Sequence, residues 1–115
     1  MEFNIKKLEN YTLIQVLEEK LDTHIAPNLK SELILISGNG EENIILDLSK
    51  CRYCDSSGLS AILVANRLCK NANGTFVLTG LNDAVERLIT ISQLDTVLSI
   101  TNTVEEAVDI VTKAQ

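Results

Sequence analysis

The sequence predicts an α/β domain on a mixed, mostly parallel sheet with an N-terminal hairpin and about four helices. Three observations carry that prediction. Segments rich in β-formers alternate along the chain with segments whose apolar residues recur at helical spacing. The run Ile44-Ile45-Leu46-Asp47-Leu48 is apolar almost without a break, the pattern of a strand covered on both faces and often parallel to its neighbours. The first two β-rich runs are joined through Glu9 and Asn10, which makes them an antiparallel hairpin.

Taken in order, residues 3–8 alternate weakly, and residues 11–17 are rich in β-formers. Asp22 or Thr23 offers an N-cap for the first helix, and Pro27 is tolerated in its first turn. Ile25, Leu29, Leu33 and Ile36 give that helix a buried stripe, and Ser37-Gly38-Asn39-Gly40 stops it. After the strand at 44–48 comes a corner at Asp55-Ser56-Ser57-Gly58. It leads into a helix with two apolar stripes, one of Leu59, Ile62, Leu63 and Cys69, the other of Ala61, Val64, Ala65 and Leu68. A helix apolar on two stripes is substantially buried. Residues 75–79 form a strand, and Asn82 or Asp83 caps a helix carrying Val85, Leu88 and Ile89. Residues 96–100 read as a last short strand. Thr103 with Glu106 forms a capping box for a final helix bearing Val104, Ala107, Val108 and Val111. Crossovers between the parallel strands are right-handed.

A chain of 115 residues makes one domain, 1–115, and is too short for two ordinary ones. Hydrophobic residues are 45% and aromatics 3%, so the core is aliphatic and needs neither disulfide nor metal. A net charge of -6 argues against nucleic acid and against an anionic membrane surface, and favours a basic protein partner. The first seven residues are polar and charged, unlike a signal peptide, and no apolar run approaches the ~20 residues of a membrane span. Three cysteines cannot all pair within one chain, which points to a reduced, cytoplasmic protein.

The stretch from Cys51 to Leu59 concentrates the polar chemistry. Two hydroxyls, an acid and a glycine stand where a helix begins, and helix starts favour phosphate through their unpaired N–H groups. A serine there caps the helix, binds a phosphate or accepts one. Gly58 removes a side chain, so another surface can approach the backbone closely. Cys51-x-x-Cys54 before a helix raises thiol exchange, but the charge of Asp55 opposes a thiolate and the only proline, Pro27, lies upstream. A metal site would draw on His24, Cys51, Cys54 and Cys69. Cys69 stands about 20 Å along the helix from Cys54, at about 1.5 Å per residue, so no metal is assigned. Asp22, Asp47 and Asp55 do not make the Mg²⁺ site of a receiver domain, which needs an acidic pair after the first strand and a late lysine. With no phosphate loop, nucleophile elbow or Cys/His pair, the chain reads as a non-enzyme without cofactor.

At Ile45-Leu46-Asp47-Leu48-Ser49 and Cys54-Asp55-Ser56-Ser57-Gly58-Leu59 the chain resembles the STAS domain, in particular the stand-alone bacterial anti-sigma factor antagonists. Leu21-Asp22 and the segment from Leu81 to Leu88 resemble further elements of that family, so the likeness covers nearly the whole chain. Glu19-Lys20 stand where the family usually has Gly-Glu. The resemblance implies a partner-switching protein phosphorylated at Ser56. Its partners would be a GHKL-type serine kinase that is also an anti-sigma factor, bound by the unphosphorylated form, and a PP2C-type phosphatase that reverses the modification. It implies a partner-binding set of Asp22, Asp55, Ser56, Ser57, Gly58 and Leu59. In that set Asp55 shapes the site and assists partner or metal–nucleotide contacts, and Ser57 and Gly58 form the docking surface. A non-phosphorylated scaffold or accessory subunit of a signalling or transport complex is the alternative.

Overall fold

A computed structural model of the chain describes residues 2–113. Its elements are β1 (Phe3–Lys7), β2 (Thr12–Val16), β3 (Lys20–Leu21), α1 (Ala26–Gly38), β4 (Ile44–Asp47), β5 (Tyr53–Cys54), α2 (Ser56–Asn71), β6 (Phe76–Thr79), α3 (Asp83–Ile91), a 3-10 turn (Leu94–Thr96), β7 (Ser99–Thr101) and α4 (Val104–Lys113). Five strands form one sheet in the order β1-β2-β4-β6-β7. β1 runs antiparallel to β2, with Phe3 opposite Val16 and Ile5 opposite Ile14. The remaining pairs, β2–β4, β4–β6 and β6–β7, are parallel. The sheet is mixed and mostly parallel, with the expected hairpin at one edge.

Alternation along the strands divides the core in two. Ile14, Val16, Leu46 and Leu78 pack with Leu29 and Leu33 of α1, Ile62 of α2 and Ile89 of α3. On the other face Ile45 and Val77 pack against Ala107 and Val111 of α4. Every residue of β4 and β6 is therefore buried, as the unbroken apolar run at 44–48 predicts. Burying one such aliphatic side chain contributes about 1.5–3 kcal/mol. The polar exception in β4 is Asp47, at the last position of the strand, whose carboxylate accepts the Ser49 N–H at 2.9 Å. At the opposite end of the sheet, buried Asn43 ties three loops. Its Nδ2 donates to the Asn10 carbonyl at 3.0 Å and its Oδ1 accepts the Thr75 N–H at 2.8 Å.

Three local expectations are corrected, and one pair of strands is added. Neither Asp22 nor Thr23 caps α1: Ile25 holds the N-cap position with no side-chain bond. Asp22 instead closes a turn, its main-chain oxygen accepting from Ile25 and Ala26 while its carboxylate accepts from His24. Helix α2 begins at Ser56, so the supposed corner forms its first turn. The strand expected at 96–100 is divided between the 3-10 turn and β7, because Gln93 takes a left-handed φ of 61° and coils the chain first. The short strands β3 and β5, which pair in parallel as a separate ladder, were not foreseen. The capping box of α4 is present: Glu106 N–H donates to Thr103 Oγ1 at 3.2 Å and Thr103 N–H to Glu106 Oε1 at 3.1 Å.

Candidate functional site

The corner is built by two elements, the β3–β5 ladder and the start of α2. Leu21 and Cys54 pair in register and turn their side chains into the core. Beyond them, Asp55 takes an extended conformation (φ -108°, ψ -171°) and caps α2, its Oδ1 accepting the Gly58 N–H at 3.0 Å. Its own N–H donates to the Leu21 carbonyl at 3.4 Å, and its carbonyl accepts from Leu59 at 3.0 Å. The acid thus ties the helix start to the end of β3.

Ser56 is the first residue of α2 and is exposed; Ser57 is half-buried. Among the described residues, neither hydroxyl has a hydrogen-bond partner, and the main-chain N–H groups of both serines are open. Two unpaired main-chain donors thus stand at the positive end of a helix of 16 residues whose first residue is Ser56. That arrangement can accept an anion, or carry one covalently, without disturbing the cap.

Gly58 and Leu59 do not face outward. Gly58 is buried, and a Cβ there would lie 2.6 Å from Cys54 Sγ and closer still to the Leu21 carbonyl oxygen. The surface that approaches this glycine is the chain's own β3. Leu59 is 8% exposed and belongs to the core. Gly58 thus lets α2 seat against β3 and so places the two serines.

Asp22 lies in the turn that follows Leu21, beside the same helix start. Its carboxyl is held below its ordinary value of 3.8, first by the hydrogen bond from the His24 N–H. The His24 ring, 88% exposed, stands 3.5 Å from the same oxygen.

The cysteines are buried and free. Cys51 Sγ donates to the Tyr53 carbonyl at 3.1 Å, and burial raises its thiol above the ordinary value. Burial, followed by the neighbouring Cys51 and Asp55, pushes Cys54 up to about 12. Cys69 is pushed up to about 11. Thiol exchange needs an accessible thiolate, and this setting opposes one.

Residue-by-residue reading overlooked the part played by Leu21, whose carbonyl accepts the Asp55 N–H and stands where a Cβ on Gly58 would come. Strands of two residues are too short to show a strand period.

The family model of the STAS domain matches residues 2–107. The anti-sigma-B factor antagonist of Listeria monocytogenes is 32% identical over 85 residues, 72% of this chain and 73% of that one. The NMR structure of TM1081 has a TM-score of 0.84 at 26% identity, covering 96% of this chain and 89% of that one. SpoIIAA of Bacillus, solved unphosphorylated and phosphorylated, shares the fold: the unphosphorylated form has a TM-score of 0.74 at 21% identity, over 95% of this chain and 96% of its own. Fold, corner and relatives agree, and the chain belongs to the STAS domain family, among the anti-sigma factor antagonists.

Proposed function

We propose that this protein is a phosphorylation-switched antagonist of an anti-sigma factor. In the unphosphorylated form it binds an anti-sigma factor that is also a GHKL-type serine kinase. Phosphorylation at Ser56 ends that binding, and a PP2C-type phosphatase restores it. The docking face comprises Asp22, Asp55, Ser56 and Ser57, with Gly58 and Leu59 shaping it from beneath. The protein acts by binding rather than by catalysis.

The observation that carries this reading is the exposed, unpartnered Ser56 hydroxyl at the first position of a long helix whose cap is supplied by its neighbour Asp55. Since Asp55 already meets the Gly58 N–H, the serine is free for transfer chemistry. A phosphate adds about -1.5 to -2 charge. It would sit beside the Asp55 carboxylate on a chain of net charge -6, so a partner fitted to a neutral hydroxyl meets repulsion and a desolvation cost. The open N–H groups of Ser56 and Ser57 stabilise the same phosphate internally, so the fold persists while the surface changes.

The test is intact-mass measurement after incubation with the cognate serine kinase and ATP. The expected result is one added phosphate, absent in Ser56→Ala. A wild-type protein that stays unmodified yet holds the kinase in a stoichiometric complex would replace this reading with that of a scaffold.

A further inference from the structure

Strand β1 is one edge of the five-stranded sheet. The bonds that flank it fix which of its main-chain groups are used. Leu17 N–H donates to the Glu2 carbonyl and Leu8 N–H to the Tyr11 carbonyl, both at 2.9 Å. In an antiparallel ladder, hydrogen-bonded pairs alternate with non-bonded ones. With Phe3 opposite Val16, the bonded pairs are therefore Glu2–Leu17, Asn4–Gln15, Lys6–Leu13 and Leu8–Tyr11. The N–H and C=O groups of Phe3, Ile5 and Lys7 point away from β2, and among the described residues no strand lies beyond them.

The side chains of Phe3 and Ile5 lie on the α1 side of the sheet, where Ile5 stands opposite buried Ile14 and is itself 37% exposed. Beside them a concavity of about 350 Å³ between β1 and α1 also holds Glu2 and Glu32. We propose that β1 is a homodimer interface. Two copies of the chain pair antiparallel through this edge, about a two-fold axis at Ile5, and join their five-stranded sheets into one.

The strand is complementary to itself. With Ile5 opposite Ile5 of the second copy, Phe3 stands opposite Lys7 and Lys7 opposite Phe3, so all three outward residues exchange both main-chain bonds. The two Ile5 side chains meet across the axis and cover each other. Lysines on an edge oppose indiscriminate pairing, and like charges set directly opposite destabilise a ladder. In this register neither lysine meets a lysine. Lys6 stands opposite Asn4. Lys7, held by its own Glu41 at 3.2 Å, stands opposite Phe3, whose concavity supplies Glu2 and Glu32. A parallel copy in register would set Lys6 on Lys6 and Lys7 on Lys7. Charge therefore selects a second copy in the antiparallel register. Five residues make a short seam, so the dimer forms by mass action and is not obligate. No residue of the Ser56 corner lies in β1 or lines the concavity, so this interface stands apart from the switch.

The test is sedimentation equilibrium with amide hydrogen exchange on the unmodified protein, from about 10 μM to about 1 mM. The mass is expected to rise from one chain towards two. Exchange at the Phe3, Ile5 and Lys7 amides is expected to slow about tenfold over that range, while Asn4 and Lys6, already bonded to β2, stay as they were. Ile5→Glu sets like charges against each other on the axis and is expected to weaken dimerisation about tenfold or more. Ile91→Glu, at another exposed apolar position, is expected to leave it unchanged. The amide spectrum reports whether each variant is folded. A single chain at every concentration, a dimer that Ile5→Glu leaves intact, a dimer lost equally in Ile91→Glu, or protection that rises on β7 instead of β1 would each overturn the proposal.

Discussion

Replacing Gly58 by alanine sets two effects of opposite sign against each other. In an exposed helix the change stabilises by about 1 kcal/mol, because alanine has the higher helix propensity. In this structure the new Cβ would lie 2.6 Å from Cys54 Sγ, 3.0 Å from Leu21 Cγ and nearer still to the Leu21 carbonyl oxygen. Side chains can give way by a few tenths of an ångström. The Leu21 carbonyl cannot move alone, because it accepts the Asp55 N–H and belongs to the β3–β5 ladder. Overpacking of this kind costs about 1–3 kcal/mol, and more where backbone must shift, so a net loss of about 2 kcal/mol is expected. At about 2.1 cal/mol/K per residue of unfolding entropy, that is a fall of roughly 8 °C in Tm. Urea denaturation and calorimetry of Gly58→Ala measure it. Adding Cys54→Ala relieves the sulfur contact but not the carbonyl, so it does not restore stability. A Gly58→Ala protein as stable as wild type, or more stable, would refute the account of how α2 is seated.

Four further outcomes follow from the same geometry. Asp55→Ala removes the cap on Gly58 N–H and is expected to cost about 1 kcal/mol in urea denaturation, most of it recovered in Asp55→Ser. Asn43→Ala leaves the Thr75 N–H and the Asn10 carbonyl without their side-chain partner, and about 2 kcal/mol should be lost in the same assay. Native protein at pH 8 should react with Ellman's reagent only after guanidinium unfolding. Folding raises the thiols from an ordinary 9.0, to about 12 at Cys54 and about 11 at Cys69, so their contribution to stability is complete below pH 9 and is lost as pH rises through those values. Asp22 should titrate below 3.8 by carbon-detected NMR, and His24→Ala should lessen that depression without abolishing it, because its first cause is the residue's main-chain N–H and the ring adds to it.

The sheet was legible because burial writes itself into β4. A strand with a helix on each face can tolerate few polar residues, and Asp47 is admitted only at the end, where it turns to the Ser49 N–H. Helix α2 was legible for the same reason: its two stripes correspond to Leu59, Ile62 and Cys69 on one side and Ala61 and Ala65 on the other, all buried. The β3–β5 ladder was not legible, because two residues per strand give no period and its bonds join positions more than thirty apart. The cap of α1 was misplaced because Asp22 satisfies a turn before the helix rather than the helix itself. Within the corner, a polar cap at the helix start followed from local chemistry, and the structure gives that place to Asp55; the choice of Ser56 over Ser57 came from the family resemblance. The role of Gly58 did not, since it depends on the distant Leu21 carbonyl.

The central claim is that charge placed on Ser56 decides whether the partner binds. Isothermal titration of the kinase partner with unmodified and with Ser56-phosphorylated protein measures it directly. The expected result is binding weakened about a hundredfold by the phosphate, with the folded amide spectrum retained. Equal affinity of the two forms would contradict it.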